Sequence, residues 1–96
     1  MTYDYKSPYG GTYKVSIVTS RYANNHNKIQ MIDTEDGMPY ATASVSIPGL
    51  TEDEVGIKNY SENEGILDFL VENNIVHQPH RFVESGFVII PVCKMK

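Results

Sequence analysis

The three histidines and the single cysteine are the residues of this sequence that offer nitrogen or sulfur ligands to a metal ion. His77 and His80 lie three positions apart in His77-Gln78-Pro79-His80, while His26 and Cys93 are distant in the chain. A structural zinc site needs four ligands at recognisable spacing, and Pro79 disrupts the helical turn that would place both imidazoles on one side. The pattern therefore predicts no metal site and no cofactor, and we interpret His77 and His80 as surface residues of a loop.

Cys93 has the chemistry of a nucleophile, since a thiolate beside a histidine can form a covalent intermediate. It closes an apolar run at positions 87–93, where a free cysteine usually packs as a small hydrophobic residue. No glycine-rich elbow or predicted helix start adjoins it to activate the thiol. The sequence thus predicts no catalytic residues and favours a protein that is not an enzyme. A small enzyme or ligand-binding domain that uses His77, His80 or Cys93 is the less favoured alternative.

Acidic residues are concentrated in the middle of the chain. Ten of the twelve lie between positions 33 and 72, where Lys58 is the only basic residue, and both flanks are mildly basic. An acidic surface attracts basic protein surfaces and accelerates docking on them, whereas the net charge of −4 disfavours direct binding to nucleic acid or an anionic membrane. We predict a protein-binding surface formed by acidic residues of the predicted turns and helix start: Asp33, Glu35, Asp36, Glu52, Asp53, Glu54 and Glu62. The alternative is a solvated acidic face that only keeps the protein soluble.

Tyrosines are the second feature that suggests an interface. The chain has seven tyrosines and no tryptophan, and three of the tyrosines fall within residues 1–11, beside a Pro-Tyr-Gly-Gly run. This run breaks regular structure, so we predict a flexible arm over residues 1–11. Tyrosine is enriched at protein interfaces, and the alternative is that Tyr3, Tyr5 and Tyr9 fold back to cover the sheet.

The elements that position these residues begin with three predicted strands, at 12–22, 28–33 and 38–47. Their β-branched and aromatic residues alternate with polar ones, which is the period of a half-buried strand. Asn24-Asn25 and Asp36-Gly37 suit the turns between them. The sequence therefore predicts an N-terminal antiparallel meander of three strands.

A helix is predicted over residues 61–73. Ser61 and Glu64 have the spacing of a capping box, an apolar stripe follows at helical spacing, and Asn73-Asn74 suits the helix end. Short strands are predicted at 55–59, at 75–83 on an edge because of Pro79, and at 87–93 in the sheet interior. The predicted core is Val15, Ile17, Ile66, Leu67, Leu70, Phe87 and Ile89.

Together these elements predict a single α+β domain over residues 1–96. We expect an antiparallel sheet of about five strands with one helix packed on one face. A single cysteine, the lack of an apolar N-terminal stretch and the lack of a window long enough to cross a bilayer favour a cytoplasmic protein.

Three segments, at 36–42, 57–65 and 86–94, resemble a family of small uncharacterised proteins that phages, plasmids and conjugative elements of Firmicutes encode. The resemblance covers about residues 10 to 95 and carries no catalytic residues. It implies a mobile-element protein of the bacterial host cytoplasm, and some anti-CRISPR proteins are similar in size, charge and lack of an active site. The expectation is an inhibitor of a host defence system that binds a basic, nucleic-acid-binding host protein, for example a CRISPR nuclease. The alternative is a structural or regulatory accessory protein of the element that acts as a homo-oligomer.

Overall fold

The protein folds into eight strands, one short 3-10 helix and one α-helix. The computed structural model describes residues 1–96, except for the side chain of Glu62. The strands are β1 Thr2–Lys6, β2 Thr12–Arg21, β3 Asn27–Asp33, β4 Pro39–Thr42, β5 Ser44–Val45, β6 Glu54–Ile57, β7 Arg81–Ser85 and β8 Val88–Lys94. The 3-10 helix is Ser61–Asn63, and α1 is Ile66–Glu72. In the described part of the chain, no helix has the length and apolar character that a membrane crossing requires.

The strands form two antiparallel four-stranded sheets, with orders β1-β2-β3-β4 and β5-β6-β8-β7. The predicted α+β class is confirmed, but the single sheet of about five strands is wrong. The reason lies at Ala43, where the strand predicted over 38–47 divides. Ala43 is fully buried; its amide donates to the Ile29 carbonyl, and its carbonyl accepts from the Lys58 amide. The chain therefore passes from the first sheet, where β4 pairs with β3, into the second, where β5 pairs with β6.

The N-terminal segment contains strand β1, where the sequence predicts a flexible arm over residues 1–11. This prediction is corrected by the pairing of β1 with β2 and by Tyr5, which is only 4% exposed. The rings of Tyr3 and Tyr5 meet Phe69 of α1 edge-on, with centroids 6.2 and 5.0 Å apart. The glycine-rich run forms the turn between β1 and β2, in which the Gly10 amide donates to the Ser7 carbonyl.

Helix α1 begins five residues later than the capping box predicts. Ser61 has a φ of 55° within the 3-10 helix, so its side chain does not cap α1. Gly65 precedes the helix with a φ of 91°, and the Leu67 amide instead donates to Asn59 Oδ1 at 3.0 Å. The predicted stop is confirmed, because α1 ends at Glu72 and Asn74 has a left-handed φ of 60°.

Two apolar clusters hold the fold together. The main cluster lies between the two sheets and α1, and it includes Val15, Ile66 and Leu70 as predicted. The smaller cluster covers the opposite face of the second sheet and comprises Ile47, Ile90 and Val92, with partly buried neighbours. Strand β8 lies between β6 and β7, which confirms the predicted interior strand.

The predicted core positions Phe87 and Ile89 are wrong, because both side chains are exposed. Phe87 lies in the two-residue turn between Ser85 and Val88, after Gly86 at a φ of 62°. An uninterrupted apolar run has no polar alternation to show which residues face inward, so pattern alone assigns the wrong face. Pro91 fits the interior strand because the β6–β8 ladder ends at Gly56 and Val92.

Candidate functional site

The predicted acidic surface is divided between two ends of strand β3. Asp33, Glu35 and Asp36 lie at the turn between β3 and β4, whereas Glu52 and Asp53 lie on the loop between β5 and β6. The Glu52 carbonyl accepts from Asn27 at the other end of β3. Asp33 is six positions along the strand from Asn27, which is about 20 Å at the usual rise. The acidic residues thus form two patches.

The prediction that Glu54 is part of the binding surface is wrong, because its side chain is buried. Arg81 donates to both carboxylate oxygens, from Nε at 3.0 Å and Nη2 at 2.8 Å, and His80 donates to Oε2. The Thr51 amide donates to Oε1 at 2.9 Å. The Arg81 guanidinium, foremost among these donors, lowers the pKa of Glu54 well below its usual range. The carboxylate is ionised, its charge is balanced by Arg81 within the protein, and its burial keeps it from contacting a partner.

Glu62 lies in the 3-10 helix, and its side chain is outside the described part of the structure. The predicted surface residues with described, accessible carboxylates are therefore the exposed Glu35, Asp36, Glu52 and Asp53, with Asp33 half-buried.

The loop Thr51–Asp53 is held by hydrogen bonds that leave its two carboxylates outward. Asn27, itself buried, donates from Nδ2 to the carbonyls of Glu52 and Glu54, both at 2.9 Å. The Thr51 hydroxyl donates to Asp53 Oδ1 at 2.8 Å, and this bond is the main reason why the pKa of Asp53 is lowered. The Glu52 side chain takes part in no described bond. The loop is therefore ordered before any ligand binds, and the Glu52 carboxylate can contact a ligand without the loss of an existing hydrogen bond.

Hollows flank this loop on both sides. The larger, about 520 Å³, is lined by Arg21, Asn27, Thr51, Glu52, Asp53 and Met95. The second, about 380 Å³, is lined by Asn24, Asn25, His26, Leu50, Thr51 and Glu52. Thr51 and Glu52 line both hollows, so the exposed Glu52 carboxylate lies between two concave surfaces.

A serine–histidine contact lies beside the second hollow and is missed by sequence reasoning. Ser46 Oγ accepts from Asn24 Nδ2 at 2.9 Å and lies 2.7 Å from His26 Nδ1. Such a pair resembles a nucleophile with its base, but catalysis also needs a group that orients the imidazole, and no described bond joins His26 to a carboxylate. The contacts fasten the β2–β3 turn to Ser46, the residue that follows β5. No signal could have revealed them, since residues 26 and 46 lie in different predicted elements.

The remaining candidates for chemistry lie apart from this loop or are already engaged. Cys93 is fully buried, and burial raises the pKa of its thiol to about 11, which keeps it protonated at neutral pH. His80 is bound to Glu54, while His77 is exposed. Among the described residues, no group of three or more His, Cys, Asp or Glu side chains is placed to hold a metal ion.

The hairpin of β7 and β8 carries a second surface that the sequence does not predict. Phe82 and Ile89 are 63% and 60% exposed, and Phe87 is fully exposed at the turn. The pattern assigns Phe87 and Ile89 to a buried interior strand and Phe82 to an edge strand, so only the structure shows that the three side chains are exposed together on one hairpin.

Comparison with protein-family models, with curated proteins and with solved structures finds no match to this chain.

Proposed function

We propose that this protein is a non-catalytic binding protein that docks on a basic surface of another protein through its Thr51–Asp53 loop. The observation that carries the proposal is the pre-organised loop, in which Asn27 fixes the backbone while the carboxylates of Glu52 and Asp53 stay exposed. A loop that is ordered before binding loses little entropy on binding. Exposed like charges on such a loop steer a basic partner during encounter.

The proposed partner is a basic, nucleic-acid-binding protein of a bacterial host, and the proposed effect is inhibition. The resemblance to small proteins of phages and mobile elements supports a role against host defence, in the manner of anti-CRISPR proteins. A CRISPR nuclease holds nucleic acid in a positively charged channel, which is the kind of surface that Glu52 and Asp53 fit. The net charge of −4 supports protein as the partner in preference to nucleic acid.

The test compares two single charge reversals, Glu52→Lys and Glu35→Lys. Both residues are exposed, neither side chain takes part in a described bond, and both changes alter the net charge equally. The measurement is inhibition of target cleavage by a purified CRISPR nuclease of a Firmicute host, together with the association rate at low and high salt. We expect Glu52→Lys to slow association about three- to tenfold at low salt, and Glu35→Lys to behave as the wild type.

Equal slowing by both variants would show that only the overall charge matters, and the loop would not be the docking site. Wild-type protein that neither binds nor inhibits the nuclease at any salt concentration would overturn the proposed host-defence role.

A further inference from the structure

Strands β7 and β8 share an exposed face that carries two large apolar side chains and one carboxylate. Phe82 and Glu84 are two residues apart on one strand, and Glu84 is the cross-strand partner of Ile89 on β8. These three exposed side chains therefore share one face of the second sheet. No ion pair involves Glu84 among the described side chains. The face combines two large apolar groups with a charge that lacks a counter-ion.

The edge of β7 is free, because β7 is the outermost strand of its sheet. The carbonyl of Val92 accepts from the His80 amide, which shows that Val92 turns its backbone towards β7. Backbone groups alternate along an antiparallel strand, so Ile90 and its partner Val83 also face each other. Phe82 and Glu84 consequently point their N–H and C=O groups away from β8, ready to pair with another strand.

The hairpin is fixed in place by its opposite face. Val83 and Val88 are partly buried against the smaller cluster, while Phe82 and Ile89, on the other face, belong to neither cluster. The exposed face is thus a stable feature of the fold, and ordering it on binding would cost little.

We propose that β7 binds an extended segment of another protein, which adds as an antiparallel fifth strand to the second sheet. The segment has a lysine or arginine opposite Glu84 and, two residues later, an apolar side chain opposite Phe82. Backbone pairing supplies affinity in this mode, and alternate side chains supply specificity. Opposite charges and apolar pairs across neighbouring strands are both stabilising. This inference rests on the proposed function, since it specifies how the basic partner is held.

A second copy of this chain fits the edge less well. Two β7 strands that pair about a two-fold axis at Val83 would set Glu84 opposite the partner's Phe82, which supplies no positive charge. An axis at Phe82 would set Glu84 opposite the partner's His80, whose amide already donates to Val92 at 3.1 Å. A basic strand satisfies both the carboxylate and the free backbone groups.

The first residue of β7 reaches the start of β6, next to the Thr51–Asp53 loop, with its side chain. Arg81, the first residue of β7, binds Glu54, which directly follows Asp53. A basic partner that is attracted by Glu52 and Asp53 therefore arrives beside the strand that we propose captures it.

The test uses short capped peptides with the full-length protein. The probe has the order Lys-Thr-Ile within a threonine background; one control peptide reverses the order to Ile-Thr-Lys, and another replaces lysine by glutamate. Amide hydrogen exchange should slow at Phe82 and Glu84 when the probe binds, whereas Val83 should not change, because its amide already pairs with β8. The reversed peptide should bind more weakly.

Variants give the second readout. Glu84→Lys should weaken binding of the lysine peptide about tenfold and should strengthen binding of the glutamate peptide, since the cross-strand charge pair is exchanged. Phe82→Thr should weaken the binding of the lysine peptide and of the glutamate peptide, because it removes the apolar cross-strand contact. Val18→Thr, at an exposed apolar position of the first sheet, is the matched control and should bind as the wild type does.

Greater protection of the Phe82 and Glu84 amides from exchange as the protein concentration increases, measured without peptide, would assign the edge to a second copy of the chain. That result would overturn the proposal. Peptide affinities that are the same for the wild type and Glu84→Lys would also overturn the proposal. Glu52→Lys separates the two proposals: if it leaves partner association unchanged while the peptide results hold, only the role of the loop fails. If association depends on Glu52 but the peptides do not bind, only the role of β7 fails.

Discussion

The β3–β4 turn and the β5–β6 loop have similar acidic sequences but use their carboxylates differently. In the turn, Asp33 Oδ1 accepts from the Glu35 amide and Asp36 Oδ1 accepts from the Met38 amide, so the acids stabilise their own backbone. Where the loop ends, Glu54, the first residue of β6, points inward to Arg81, 27 residues away. The comparison shows that a run of acids does not reveal which charges a partner can reach. That depends on distant residues.

Removal of the Glu54 carboxylate should produce the largest difference between the two regions. Glu54→Ala leaves Arg81, His80 and the Thr51 amide without their acceptor, and we expect a loss of about 3 kcal/mol of unfolding free energy. Asp33→Ala removes one exposed backbone contact and should cost less than about 1 kcal/mol. Urea denaturation of both variants measures the difference. Equal midpoints would mean that the Glu54 cluster adds nothing beyond an ordinary turn.

Asn27 should have the next largest effect, because it holds the loop from the end of β3. Asn27→Ala removes two hydrogen bonds to the carbonyls of Glu52 and Glu54 and leaves those carbonyls short of donors. We expect a loss of about 2 kcal/mol and faster amide exchange in residues 51–54, with exchange in the β3–β4 turn unchanged. Unchanged exchange in the loop would contradict its pre-organisation by Asn27.

Much of the fold is predictable where the local pattern is sufficient. Strands β2 and β3 follow from period-two alternation, and Ile29 and Met31 of β3 are fully buried. The apolar stripe of α1 is likewise confirmed at Ile66, Phe69 and Leu70.

The rest depends on contacts between distant residues. Strand β1 is not predicted from the sequence, because the Pro-Tyr-Gly-Gly run that follows it indicates irregular structure. Its Tyr5 side chain is buried against Phe69 of α1, which is distant in the sequence. The capping box fails because Asn59, from an earlier segment, caps the helix instead. At the candidate site, the exposure of Glu52 and Asp53 follows from their predicted turn, whereas the burial of Glu54 depends on Arg81. A partner so remote in sequence has no local signal.

The acid dependence of stability should give the smallest of these differences, and its sign follows from Glu54. The Arg81 guanidinium lowers the pKa of this carboxyl in the folded state below its ordinary value of 4.5, so the unfolded chain takes up the proton first as the pH falls. The stabilisation is complete above about pH 4.5 and is lost progressively below it. Since Arg81 and His80 are partly exposed and solvent screens the pair, we expect Glu54 to account for about 1 kcal/mol of the loss between pH 5 and pH 3. Glu54→Gln, which cannot titrate, should be less stable at pH 7 and should show a shallower acid limb in urea titrations. Glu35→Gln, at an exposed position of the other acidic region, should keep the wild-type slope. Identical slopes for all three proteins would show that Glu54 is protonated in the folded state as readily as in the unfolded chain, and the contrast between the two regions would then lie in packing alone.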